Sequence, residues 1–146
     1  MPRARESGFT LLEVLVVVAV IGVLAAISAP AVQAGLDRYA LISASQQVAS
    51  TIRTARWQAV AKNKTLRLRF DYPDDSEYQV VDTSDDAVGS VQYLPGGITF
   101  DSFEDLEFDP EGRLIDPAAA TSIVVTNDDD QDSTITVSTS GRVQLQ

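Results

Sequence analysis

The chain changes its hydrophobic pattern twice, and each change marks an element. From Val14 to Leu36 there are 23 consecutive residues without a charge. A helix that crosses a hydrocarbon layer needs about 20. After Pro30 the pattern becomes amphipathic. Leu41, Ala44, Val48, Ile52, Ala55 and Ala59 recur at steps of three and four, so they share one helical stripe, with Arg53, Arg56 and Lys62 off it. This predicts one nearly continuous helix from about Phe9 to Lys62, roughly 80 Å long at 1.5 Å per residue. Gly22 and Pro30 are expected points of bending or local melting. The first half of the helix suits lipid; the second should lie on a sheet.

Beyond Lys64 the period becomes two. Leu66, Leu68 and Phe70 fall on one face, and Thr65, Arg67 and Arg69 on the other. Further strands are expected at Tyr78–Asp82, Val91–Leu94, Ile98–Phe100, Leu106–Phe108, Ser122–Thr126, Thr134–Ser138 and Arg142–Leu145. The runs DYPDDSE, PGG, DPEG, NDDDQD and TSG separate them as turns. One long helix followed by short strands and frequent turns predicts an α+β fold with antiparallel sheets.

Composition narrows the chemistry. With 146 residues there is room for one domain and a tail. There is no cysteine, so no disulfide, and no histidine, which removes the commonest general base and metal ligand. The net charge of −10 is unevenly spread. Between Asp71 and Asp132 there are 18 acidic residues and one basic one, Arg113, whereas Arg53 to Arg69 holds six basic residues and no acidic one. An acidic body opposes general polyanion binding. The basic stretch is read as a solvated face, or as a partner for the acidic part within one chain or between subunits.

Arg3 and Arg5 precede the apolar run, which places the extreme N-terminus in the cytoplasm and the remainder across the membrane. A cleaved secretory signal, a plain anchor and a more specialised segment all fit. LAAISAP offers small residues for a signal cleavage site, but the length of the run and Glu13 within it fit that reading poorly. A plain anchor gains nothing from Glu13. An acidic residue at mid-membrane costs about 2.5–3.5 kcal/mol, less near the end of a span, so one retained there calls for a partner.

The stretch ESGFTLLEVLVVVAVIGVLAAISAPAV closely resembles the class III signal and N-terminal helix of type IV pilins and type II secretion pseudopilins. The resemblance implies a leader over residues 1–8, cleavage by a prepilin peptidase between Gly8 and Phe9, and N-methylation of Phe9. Glu13 is then the fifth mature residue, and Pro30 falls where the family commonly has proline. It further implies a transmembrane or filament-core helix over 9–36, and a periplasmic domain over 37–146 that includes the amphipathic half of the helix. In that family picture Glu13 meets the terminal amine of a neighbouring subunit. LISASQQVASTIRTARWQAVAKNKTLRLRF, LEFDPEGRL and TITVSTSGRVQLQ most resemble the GspH/FimT group of minor subunits, used at or near a filament tip. The implied partners are other minor and major pilins or pseudopilins, the prepilin peptidase and the inner membrane.

Other chemistry is sparse. Without cysteine or histidine the usual nucleophile pairs cannot form, no catalytic residue is proposed, and no cofactor is expected. NDDDQD alternates Asp128, Asp130 and Asp132 as calcium loops do, but lacks the glycine and glutamate an EF-hand needs, so no metal site is assigned. Some relatives in the FimT group bind DNA through a Gly-Arg-x-Arg segment. Here the segment reads Gly141-Arg142-Val143-Gln144, so Arg142 is the candidate contact and Gln144 breaks the pattern. Phosphate contacts each need a cation, and DNA is not the expected partner.

Overall fold

The computed structural model describes residues 10–115 and 120–146, apart from the side chains of residues 28–31. One helix and eight strands follow in order: α1 (Leu11–Lys62), β1 (Leu66–Phe70), β2 (Glu77–Asp82), β3 (Gln92–Tyr93), β4 (Ile98–Ser102), β5 (Leu106–Phe108), β6 (Thr121–Asn127), β7 (Asp132–Val137) and β8 (Val143–Leu145). The chain divides at Leu36/Asp37 into two compact units.

Helix α1 is a single element through Gly22 and Pro30, so the melting expected there as one of two outcomes does not occur. Within Asp37–Gln146, the stripe Leu41, Ala44, Val48, Ile52, Ala55 and Ala59 is buried, as its spacing requires. Half of those residues are alanine.

The strands form two antiparallel four-stranded sheets, β3-β2-β1-β5 and β4-β6-β7-β8. β1 alternates as its period predicts, with Leu66, Leu68 and Phe70 buried and Arg67 and Arg69 partly exposed. All eight expected strands occur, Leu106–Phe108 with the expected ends and the others with ends shifted. Val91–Leu94 shrinks to a two-residue strand, while Ser122–Thr126 lengthens at both ends to Thr121–Asn127. Both sheets and the helical stripe contribute to one core. Phe100 of the second sheet links the two sheets: its ring lies 5.3 Å from Phe70 and 5.8 Å from Tyr78, both edge-to-face. That geometry is the preferred one for aromatic pairs.

Four turns share one construction, at 82–86, 109–113, 127–131 and 138–142. In each, the backbone N–H of the first residue donates to the carbonyl of the fifth, and the fourth N–H returns to the first carbonyl. The first side chain (Asp82, Asp109, Asn127 or Ser138) accepts the fifth residue's N–H, at 2.7 to 3.1 Å. The fourth residue (Asp85, Gly112, Asp130 or Gly141) has positive φ, between 55° and 77°. This is a type I turn closed by a left-handed residue, a common way to join antiparallel strands. Aspartate, asparagine and serine suit the first position because a short side-chain oxygen reaches the backbone ahead.

Candidate assembly segment and arginine sites

Helix α1 begins with a cap. The Thr10 hydroxyl accepts the N–H of Glu13 at 3.2 Å, and the Thr10 carbonyl accepts the N–H of Val14. Threonine followed three residues later by glutamate is a helix-start signature, so Thr10 could have been picked out from the sequence. Glu13 thus lies in the first helical turn, exposed, where a negative charge also favours the helix dipole. The dipole term is about 0.3–1 kcal/mol at an exposed site, against about 2.5–3.5 kcal/mol for a carboxylate held deep in a membrane. Nearer the end of a span that cost is smaller, and the helix end offsets part of it. Gly8 and Phe9 lie outside the described residues. From Val14 to Ile27 the helix carries no charge and is uncovered, with Val14 53% and Ile27 69% exposed. It is long and apolar enough to cross a membrane.

The basic stretch is not one solvated face. Arg67 lies 3.2 Å from Glu107 and 3.6 Å from Asp85. Arg69 lies 3.5 Å from both Asp85 and Asp105, and its guanidinium stacks 3.8 Å over Tyr72. Two cations are therefore matched by acids of the same chain. Arg53, Lys62 and Lys64 are exposed.

Arg56, read from the sequence as an off-stripe surface cation, is half-buried, and its Nε donates to the Gly112 carbonyl at 2.7 Å. A Cβ built on Gly141 would lie 2.5 Å from that same carbonyl and 2.7 Å from Arg56 Nε. One guanidinium therefore ties the 109–113 turn to α1 and packs against the 138–142 turn. The two turns also join directly, from the Leu114 N–H to the Thr139 carbonyl at 3.1 Å. The repeated Gly-Arg pair, Gly112-Arg113 and Gly141-Arg142, was the available sequence signal. Arg113 pairs with Asp109 at 3.2 Å and Glu111 at 3.8 Å. The Arg142 side chain is exposed, and its backbone closes the turn on Ser138. Arg56, Arg67 and Arg69 are thus occupied internally, and Arg142, the candidate phosphate contact, stands at a turn end.

The NDDDQD run is a hairpin turn. Asn127 Oδ1 accepts the N–H groups of Asp129 and Gln131, and Asp132 accepts the Thr126 hydroxyl at 2.7 Å. Among the described residues, no three acidic side chains converge as a metal site would require. Tyr78 is buried with a hydroxyl that makes no hydrogen bond of ordinary geometry. Burial pushes its pKa up, and the nearby Thr51 and Gln47 only partly oppose this.

A long N-terminal helix, apolar in its first part, whose second part lies on antiparallel sheets defines a pilin-like fold. Residues 3–29 match the prokaryotic N-terminal methylation motif, and residues 44–141 match the type II transport protein GspH. The second match spans most of the chain, which belongs to the GspH family of the type IV pilin and pseudopilin superfamily. The type IV minor pilin FimU of Pseudomonas aeruginosa shares the fold with a TM-score of 0.61 at 20% identity, over 75% of this chain and 90% of that one. The minor pseudopilin EpsH from the type 2 secretion system of Vibrio cholerae gives 0.57 at 13% identity, over 73% and 95%. A fimbrial protein of Pseudomonas aeruginosa is 36% identical over 75 residues, 51% of this chain and 47% of its own length. The chain thus spans about half the length of the curated relatives it matches. The apolar helix and the methylation motif fit a membrane-anchored pilin.

Proposed function

We propose that this chain is a minor pseudopilin of a type II secretion system, acting by contact with other subunits at or near a pseudopilus tip and not by catalysis. The observation that carries this is Glu13, in the capped first turn of an uncovered apolar helix, on a chain with a GspH domain. In this reading residues 1–8 are removed between Gly8 and Phe9, and Phe9 becomes an N-methylated terminus. Residues 9–36 cross the inner membrane before assembly, with the N-terminus cytoplasmic and 37–146 periplasmic. The new amine of a neighbouring subunit supplies the counter-charge that the helix end does not. An unassembled subunit then carries an unmatched carboxylate, which biases it toward the filament.

Mass spectrometry of the mature protein tests the processing: a chain starting at methylated Phe9 supports it, and one starting at Ala29 or Pro30 restores an ordinary secretory signal. Glu13→Ala should lose incorporation into the filament while the protein still reaches the membrane. Unchanged incorporation would defeat the pairing.

A second reading has its own support. The fimbrial relatives and the FimU fold favour a FimT-like minor pilin of a type IV pilus, with DNA uptake as its further possibility. Identification of the co-purifying subunits separates pseudopilus from pilus. Filter binding at low and physiological salt tests DNA: salt-sensitive retention favours uptake, and none excludes it.

A further inference from the structure

Each sheet exposes two edge strands, and an exposed edge is a row of unpaired backbone donors and acceptors that proteins ordinarily blunt. Three of the four edges here are blunted. β3 is two residues long. β4 carries Asp101 and a register shift between Phe100 and Ser102. β5 is covered on its free side, where Ile115 donates to the Glu107 carbonyl and Leu114 bridges to Phe108.

β8 is different. It pairs with β7 on one side, and the bonds of that ladder fix which groups point outward. Gln146 exchanges both backbone bonds with Thr134, and the Arg142 carbonyl accepts from Ser138. Antiparallel bonding alternates, so Val143 and Leu145 turn their N–H and C=O groups away from β7. From Val143 to Gln146 no side chain is charged, none is proline, and the pairing with β7 has no bulge. Leu145 is 41% exposed on the same strand face as Val143. Arg142 stands exposed at the start of the strand, with no ion pair to any described residue.

We propose that the free edge of β8 receives a strand from a different subunit, with a carboxylate facing Arg142 and small apolar side chains beside Val143 and Leu145. Strand addition of this kind takes affinity from main-chain hydrogen bonds and specificity from alternate side chains. Charge selects against a second copy of this chain, since two bodies of net charge −10 repel. The proposal deepens the reading that the chain acts by contact with other subunits. Its test reports on the edge alone, so it can fail while that reading stands.

The probe is a synthetic peptide, acetyl-Val-Glu-Val-Thr-Val-Glu-Val-amide, added to the full chain in detergent, with amide hydrogen exchange read residue by residue. The amides of Val143 and Leu145 should slow by roughly tenfold, the equivalent of one hydrogen bond each, while that of Gln146 changes little. A peptide with lysine in place of glutamate should bind several-fold more weakly at low salt. Val143→Pro removes an outward donor, and Leu145→Lys blunts the edge without touching a buried residue; both should abolish the effect. The proposal is overturned if the two amides do not respond at about 1 mM peptide, or if the two peptides protect equally. It is also overturned if Leu145→Lys still responds, if both amides are slow in the unmixed protein, or if their protection rises with protein concentration alone, which would mark a second copy as the occupant.

Discussion

Gly141→Ala isolates the clasp between α1 and the two Gly-Arg turns. Gly141 has φ of 75°, and an added Cβ would lie 2.5 Å from the Gly112 carbonyl oxygen, 2.7 Å from Arg56 Nε and 2.8 Å from Arg56 Cδ. Left-handed backbone costs alanine about 1–2 kcal/mol. Pushing Arg56 off the Gly112 carbonyl forfeits a charged hydrogen bond of about 1.5–3 kcal/mol. Reduced freedom of the unfolded chain returns about 0.4–1 kcal/mol. The net loss should be about 2–4 kcal/mol, a large share of the roughly 5–15 kcal/mol typical of a domain. Denaturant unfolding of the detergent-held chain measures it, with an unchanged slope showing that the unfolded state is not altered. Gly89→Ala is the control, because nothing lies within 4 Å of its Cβ position; it should shift stability by less than about 0.5 kcal/mol. Combined with Arg56→Ala, the Gly141 change should be sub-additive by at least about 1 kcal/mol, since both remove the same bond. A loss below about 1 kcal/mol, or strict additivity, would refute the clasp.

Two further predictions concern titration. Tyr78→Phe should be within about 1 kcal/mol of neutral, because the buried hydroxyl makes no hydrogen bond of ordinary geometry and only weak contacts with Thr51 and Gln47. The raised pKa of Tyr78 favours its neutral form, so that contribution is present below the ordinary tyrosine range and fades as pH rises through the folded value. The substitution should therefore flatten the alkaline limb of a stability-against-pH curve; an unchanged limb would disprove it. For Asp109, the Arg113 N–H donated to its carboxylate is the main cause of a pKa held below the ordinary carboxylate range, with the Arg113 guanidinium adding to it against partial burial. Its stabilisation is present above the unfolded pKa and lost as pH falls through the depressed folded one. Asp109→Asn keeps the accepting oxygen, as Asn127 does in its own turn, so the fold should persist at neutral pH with a shallower acid limb. An equally steep limb in the variant would assign the acid sensitivity to other carboxylates.

Local pattern made much of this legible. The helical stripe and the alternation in β1 are short-range periodicities that burial enforces, and both stand in the structure. Every expected strand formed, because apolar runs between turn residues leave the backbone few alternatives. Strand ends moved where turns act as pairing elements: Asn127 closes its turn and still pairs with Ile98, so β6 runs longer than its apolar core. The partition into two sheets was not legible, because β1 with β5 and β4 with β6 are long-range pairings that no local period encodes. The turn at 82–86 was not among the expected turns, although its left-handed residue, Asp85, matches Asp130 of the expected turn at 127–131. Arg56 was misread for a related reason. A cation off the apolar stripe looks solvated until a distant carbonyl is folded over it. At the N-terminus the sequence supplied Glu13, and the structure added Thr10 beneath it.

The clasp also bears on how this chain can vary in length. Arg56 has one fixed reach from α1, and it meets the turns at 109–113 and 138–142 together, which are themselves joined at Leu114 and Thr139. A residue inserted into either hairpin would carry its glycine out of reach of the guanidinium and pull the other turn with it. The same construction recurs at 82–86, where Arg67 and Arg69 hold Asp85, and at 127–131, where no arginine side chain reaches the turn and Asp128 donates to the Gly97 carbonyl at 3.2 Å; in both, aspartate stands where the clasped turns have glycine. Natural length variation and engineered peptide tags should therefore be accepted more readily at 127–131, which no arginine clasps, than at the clasped pair.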